Sequence, residues 1–290
     1  MKEDRCDRED PAMKTNGLIV VTGGTGGLGQ RVVVRLRDKG RDVRVVSRHP
    51  GDSQQGVEHM AADLVTNQGV DEAISGAEIV VHCAGVGKIK EDTAQAQNLV
   101  VAAKRGGVRH LVSISVVGAE RIPVRSAVDR LMFAYFASQR AKELVIEQSG
   151  LPWTNLRATQ FHDGFILAMV RAMSKMPIVA LPAGTRFQPV DADEVADALV
   201  ELALGTPVGQ APDFAGPRIY DAESLLRGYL VAIGKQRPIL KITMPGAAAA
   251  AIREGANLAP DRAVGRRTWE EFLAAGVPAD TLSGSTLTIS

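Results

Sequence analysis

The sequence predicts an α/β fold: a doubly wound parallel sheet with a small C-terminal subdomain packed over it. Three observations carry this. Short β-branched runs alternate with helical stretches along the first half of the chain. The runs are apolar throughout rather than on every second residue, the mark of strands buried on both faces. A glycine-rich turn follows the first run directly.

The elements follow in order. "GLIVV" is the first strand, and a helix is expected from about Gly27 to Lys39. "DVRVVS" and "VEHM" are the next strands, and "GVDEAIS" is a short helix leading to the strand in "AEIVVHCAG". A helix near Ala94 to Arg105 precedes the strand in "RHLVSISVV", and a long helical pattern from Ala127 to Gln148 precedes "PWTNLRA". After about Arg157 the rhythm loosens, with helices expected over Gly164–Lys175, Ala192–Leu204, Ala222–Ile233, Ala247–Gly255 and Thr268–Ala275.

Composition narrows the function classes. The chain has 290 residues, 45% hydrophobic and 23% charged, enough for a sizeable core. A formal net charge of +1 and only 4% aromatics argue against nucleic acid or an anionic membrane as partner. The small apolar run "GAAAAAI" from Gly246 is too short to span a bilayer. Residues 1–16 are charged, lack the apolar core of a signal peptide and read as a disordered extension, with Met13 as an alternative start. The cytoplasm is the expected compartment. Cys6 and Cys83 make no disulfide framework, and neither has metal-ligand spacing, so no metal is expected.

The turn "VVTGGTGGLG" holds five glycines between strand and helix. Gly23 permits a tight turn, Gly26 removes a side chain that would block a phosphate, and Gly29 lets helix and strand approach. Amides at the helix start then hold an anion, helped by the helix dipole. Gly27 and Leu28 belong to that first turn, and Thr22 or Thr25 can bond to phosphate or to the loop. The lysine and hydroxyl ending of an NTPase loop is absent, which disfavours ATP hydrolysis. A Rossmann dinucleotide-binding core is therefore expected over 17–157, with a substrate-facing part over 158–290.

The second strand discriminates between cofactors. An NAD site wants an acid at its end for the ribose 2′-hydroxyl, and "VVSRHP" offers Ser47 and Arg48 instead. A guanidinium pairs with a 2′-phosphate, so NADP(H) is expected ahead of NAD(H).

From "TGGTGGLG" through "VVHCAG", "HLVSISVVGAERIP", "SGLPWTNLRATQFHD", "FQPVDADEVAD" and "NLAPDRAVGRRTWEEFLA", the chain resembles the atypical short-chain dehydrogenase/reductases, in particular the NmrA-like NAD(P)H-binding group. The resemblance implies that Gly23, Gly26 and Gly29 form the dinucleotide loop and that Arg48 reads the 2′-phosphate. It also implies that Asp63 and Leu64 of "AADL" lie near the adenine, though Asp63 equally suits a helix cap. Cys83, Ala84 and Gly85 match the segment that runs under the cofactor.

The chemistry departs from that pattern. Hydride-transferring relatives commonly use a serine after the fifth strand and a Tyr-x-x-x-Lys helix, in which the lysine stabilises the phenolate. Ser113 and Ser115 stand at the strand end and Tyr135 at the tyrosine position, but the fourth residue on is Gln139. Glutamine can bond a ribose and brings no charge. Lys142 lies two turns from Tyr135, about 10 Å along the axis, and reads as a poor replacement. The insertion "VRSAVDRLMFA" lengthens the helix or adds a lid, lining a pocket or packing on the core or a partner. Beyond the sixth strand, Gln160 and His162 are candidate substrate contacts, Asp163 a helix cap, and Asp191 the cap of the next helix.

The expected function is an NADPH-dependent reductase of a small carbonyl, quinone or other unsaturated compound, with Ser115 and Tyr135 catalytic. Two alternatives stay open: a non-catalytic NADP(H) sensor acting on a protein partner, and a non-redox isomerase or lyase on the same scaffold. A homodimer is compatible with any of them.

Overall fold

The computed structural model describes residues 17–49, 51, 53 and 56–276. The expected extension over 1–16, with Cys6 and Met13, lies outside the described residues.

The β-branched runs form strands because such side chains crowd a helix and fit a sheet buried on both sides. In chain order the elements are β1 (Leu18–Thr22), α1 (Gly27–Asp38), β2 (Val43–Ser47), β3 (Val57–Ala61), α2 (Val70–Ile74) and β4 (Ala77–His82). Then come α3 (Ile89–Arg105), β5 (His110–Val116), α4 (Ala127–Glu147) and β6 (Trp153–Ala158). A π-helical turn (His162–Ile166) leads into α5 (Leu167–Ser174), followed by β7 (Val179–Pro182), β8 (Arg186–Phe187) and α6 (Ala192–Leu204). The rest is β9 (Gly209–Gln210), β10 (Tyr220–Asp221), α7 (Ala222–Ala232), β11 (Ile239–Ile242), α8 (Ala247–Glu254) and α9 (Trp269–Ala274).

Seven strands pair in parallel in the order β3-β2-β1-β4-β5-β6-β9. The winding direction reverses between β1 and β4, which leaves a crevice at their carboxyl ends where such folds bind ligands. α1 and α6 cover one face through Val32, Leu36, Val195 and Leu199, packed on Ile19, Val21, Val81 and Val112. Both helical pairs are spaced i, i+4, so they stand on one face. α2, α3 and α4 cover the other, where Ile74, Leu99, Ala103 and Ile146 meet Val20, Val80 and Leu111. Each fully buried aliphatic side chain of this kind stabilises the fold by roughly 1.5–3 kcal/mol.

The chain after residue 157 serves two purposes. β9 and α6 complete the doubly wound layer, whereas α5, α7 and α9 build their own core around Ile166, Val170, Leu225, Leu226, Trp269 and Phe272. Two small two-stranded sheets, β10-β8 and β11-β7, brace that second core. α8 packs its Ala248 and Ile252 with Ile122, Phe133 and Phe136, so it leans on the front of α4.

Two boundaries differ from the sequence reading. α3 starts at Ile89, earlier than expected, with Glu91 and Asp92 in its first turn, where carboxylates complement the helix dipole. The stretch read as one helix from Gly164 opens instead with the π-helical turn, in which Gly164 is non-helical (φ −100°, ψ −111°).

Candidate functional site

The glycine loop is built for close approach. Gly23 has φ +69°, and a methyl group there would fall 2.7 Å from the Ala84 nitrogen, so the ends of β1 and β4 touch main chain to main chain. A methyl on Gly29 would fall 2.1 Å from the Gly23 carbonyl oxygen, which fixes how near α1 lies to the loop. Gly26 is different. It is exposed, it is the N-cap of α1, and it brings no side chain to cap the helix. The first α1 amides therefore have no carbonyl within the helix and no cap, as an anion site requires. Thr25 is exposed at the loop tip. Thr22 is fully buried, its hydroxyl 2.7 Å from His82 Nδ1, so it serves the sheet rather than the loop.

At the end of β2, Ser47 Oγ is buried with no hydrogen-bond partner among the described residues. Arg48 is exposed and has no ion-pair partner among them. Asp63 Oδ1 accepts the Val65 N–H at 2.8 Å and closes the turn after β3; Leu64 is buried against the sheet.

The helix-facing side of the sheet changes character along its strands. Its lower positions are Val20, Val80 and Leu111; its upper positions are Thr22, His82, Ser113, Ser115, Asn155 and Arg157. Period-two alternation puts these polar groups on one face, under α4. Ser113 donates to Asn155 (2.7 Å), and Asn155 donates to Glu143 (3.1 Å). Glu143 accepts both arms of the Arg157 fork at 2.8 Å, and one arm of Arg140 at 3.0 Å. Burial alone would raise the Glu143 carboxyl; the Arg157 fork, Ser115 and Arg140 hold it below its usual range. Ser115 Oγ itself meets no partner in hydrogen-bond geometry.

α4 lays a matching polar row above. Tyr135, Gln139 and Lys142 follow i, i+4, i+7 and share one helix face. A methyl on Gly85 would sit 3.6 Å from Gln139 Nε2 and 3.8 Å from Asp92 Oδ1, so the segment Cys83–Gly85 forms a shelf flanked by both. Asp92 holds the following loop by accepting the Val86 and Gly87 amides at 2.8 and 3.0 Å. Lys142 is 2% exposed and donates to the Ile114 carbonyl at 2.6 Å. Burial lowers its ammonium to about 8, against the opposing pull of Asp92, Glu143 and Cys83. His82 is driven down to about 3 by burial and then by Lys142, and its Nε2 has no partner among the described residues. Burial raises the Cys83 thiol to about 12.

Tyr135 stands at the mouth, its ring beside Gly87. The residue is 49% exposed, and its phenol is raised to about 12, by desolvation first and the Asp92 charge second. Around it, Val86, Ile89, Leu131 and Met132 are exposed apolar side chains. The insertion before Tyr135 packs rather than floats. Ser126 and Asp129 form a capping box, Asp129 Oδ1 accepts from Ala248 N–H at 3.3 Å, and Phe133 breaks the helical dihedrals (φ −130°, ψ 15°).

Both candidate substrate contacts are buried. Gln160 is buried between Asn257 and Gln188, with bonds of 3.4 Å to each main chain. His162 is 1% exposed, stacked on Phe272 with centroids 5.3 Å apart, and neither ring nitrogen has a partner among the described residues. Burial brings it down to about 4, with Asp191 partly opposing and Arg267 adding. Asp163 takes an ion pair from Arg31 of α1 at 2.6 Å rather than capping a helix, while Asp191 does cap α6. Sequence reading missed Asp92 and His82 and set Lys142 aside; the period-two pattern of "VVHCAG" was the available signal for His82. Among the described residues no cluster of His, Cys, Asp or Glu could hold a metal, and no helix is long and apolar enough to cross a membrane.

An uncharacterised protein of Mycobacterium tuberculosis is 27% identical over 232 residues, covering 78% of this chain, which spans 24% of that protein's length. The (4-alkanoyl-5-oxo-2,5-dihydrofuran-3-yl)methyl phosphate reductase of Streptomyces griseus is 29% identical over 209 residues, 71% of this chain and 70% of the reductase. Among solved structures, the NADPH-dependent quinone oxidoreductase of Escherichia coli in complex with NADPH superposes with a TM-score of 0.73 at 19% identity, covering 89% of this chain and 99% of that one. That likeness shows the shared fold. The NAD(P)H-binding family model matches residues 23–204, and the chain belongs to that NAD(P)H-binding family.

Proposed function

We propose that the chain is an NADPH-dependent reductase of a small, uncharged carbonyl or other unsaturated compound. The observation that supports this reading is the contact of the glycine loop with the Cys83–Gly85 shelf, with Gln139 beside Gly85 and the Tyr135 ring beside Gly87. Bare amides at the start of α1 suit the pyrophosphate, and the unpaired Arg48 with Ser47 suits a 2′-phosphate. The shelf suits the nicotinamide end because its residues are small and Gln139 can bond a ribose beside Gly85.

When bound, the reduced nicotinamide supplies a hydride. The chain's share is to hold the substrate oxygen and furnish a proton. Tyr135 holds its proton firmly, with a phenol near 12. It can still protonate a nascent alkoxide, which is more basic, but it is poorly matched to a quinol anion, whose acidity is close to that of an ordinary phenol at about 10. The apolar rim of Val86, Ile89, Leu131 and Met132 favours substrates without charge near the reacting carbon. The S. griseus relative carries a reductase name, which agrees with this class.

One observation favours a second reading, an NADP(H) sensor: Gln139 supplies no charge to lower the Tyr135 phenol. NADPH oxidation across aldehydes, ketones, enones and quinones separates the two. Steady turnover that falls at least tenfold in Tyr135→Phe, with NADPH affinity retained, supports the reductase. NADPH uptake with no turnover on any class sinks it in favour of the sensor.

A further inference from the structure

We propose that the buried ammonium of Lys142 tunes the crevice toward the reduced cofactor by placing a positive charge beneath the nicotinamide shelf. The inference rests on the reading above that the nicotinamide end lies on Cys83–Gly85. Oxidation turns that ring from neutral to cationic, so a fixed positive charge nearby destabilises the oxidised form selectively. Everything else the two cofactors share, including adenine, pyrophosphate and 2′-phosphate, cancels in the ratio of their affinities.

The groups facing Lys142 decide whether its charge survives. From β4 come His82 and Cys83, from α3 Asp92, from β5 the Ile114 carbonyl, and from α4 Glu143. Glu143 is engaged by the Arg157 fork and by Arg140, so its charge is largely answered elsewhere. His82 stays neutral near 3 and the Cys83 thiol stays neutral near 12. Asp92 is the opposing charge, and its oxygens are held by the Val86 and Gly87 amides. Lys142 also has spare capacity. An ammonium carries three donors, and among the described residues only the Ile114 carbonyl accepts one. Burying such a group disfavours folding unless something else is gained, and bias in the cofactor site is a gain that packing alone does not supply.

The test measures binding of NADPH and of NADP+ by calorimetry, without any substrate. For the wild-type chain the preference for NADPH should fall by about tenfold between pH 7 and pH 9.5, as Lys142 loses its proton near 8. Lys142→Met should show the lowered preference at pH 7 with no pH dependence, and Lys142→Arg the full preference, also flat. Asp92→Asn should shift the preference the opposite way. A wild-type ratio that is flat across this range overturns the proposal even if Lys142→Met fails to fold. So does an unchanged ratio in Lys142→Met when both nucleotides bind. A wild-type chain that takes up neither nucleotide overturns the underlying reading as well, a separate and recognisable result.

Discussion

Gly23 and Ala84 meet main chain to main chain: a methyl on Gly23 would sit 2.7 Å from the Ala84 nitrogen, at a backbone φ of +69°. Gly26, three residues on, is exposed and would bring a methyl only to 3.3 Å from the Gly23 carbonyl. The two glycines should therefore fail differently. Gly23→Ala is expected to cost roughly 2 kcal/mol of stability, from the left-handed backbone and the clash together. Gly26→Ala should leave the urea midpoint nearly unchanged and weaken NADPH binding by about tenfold or more, because its methyl occupies the phosphate approach. Urea unfolding and calorimetry on both variants check this contrast, and equal stability losses would contradict it.

Arg48 has no ion-pair partner among the described residues, so its removal breaks no ion pair there. Arg48→Ala should raise the Kd for NADPH by about tenfold while leaving the Kd for NADH unchanged, since only the former carries a 2′-phosphate. Parallel weakening of both would assign Arg48 no part in the choice.

Acid should loosen the fold through the buried histidines, His82 and His162 with the largest shifts and His110 in the same direction. His82 titrates near 3 and His162 near 4 in the native state, both below the ordinary value of 6.5. The unfolded chain binds the extra protons first, so their stabilising contribution is complete above 6.5 and is lost as pH falls toward the native values. By pH 5 each should have cost on the order of 2 kcal/mol. His162→Phe keeps the stack with Phe272 and should remove about half of that acid sensitivity, measured as the change in urea midpoint from pH 7 to pH 5.

Lys142 carries the same sign at higher pH. Its native value of about 8 lies below the ordinary 10.5, so stability should rise as pH climbs through this interval. Lys142→Met, similar in volume and uncharged, should stabilise the chain at pH 7 on the order of 2 kcal/mol and abolish the alkaline rise. A destabilised Lys142→Met would mean that the bond to the Ile114 carbonyl outweighs the burial of charge.

The layered fold was legible because local patterns and global packing agree. The limits of α6 at Ala192 and Leu204 were readable from the Asp191 cap and its apolar periodicity. β9 was not, because two residues, Gly209 and Gln210, carry no period and take their strand geometry from β6 alone. The glycine loop could be placed by spacing, since turn chemistry is local. Lys142 could be placed on the Tyr135 face by counting, but its burial depends on how α4 lies across β5, which no spacing within the helix records. Asp92 was hidden for a similar reason: its partners are loop amides on the far side of the α3 start.

The break at Phe133 has a mechanical consequence. The leading turns of α4 are fastened to α8 through Asp129 and Phe133, whereas the trailing turns are fastened to the sheet through Lys142, Glu143 and Ile146. The break sits two residues ahead of Tyr135, and Phe136 just beyond it reaches the same α8 cluster. Tyr135 therefore sits between two aromatic anchors to α8, so the placement of its phenol depends on the C-terminal part as well as on the sheet.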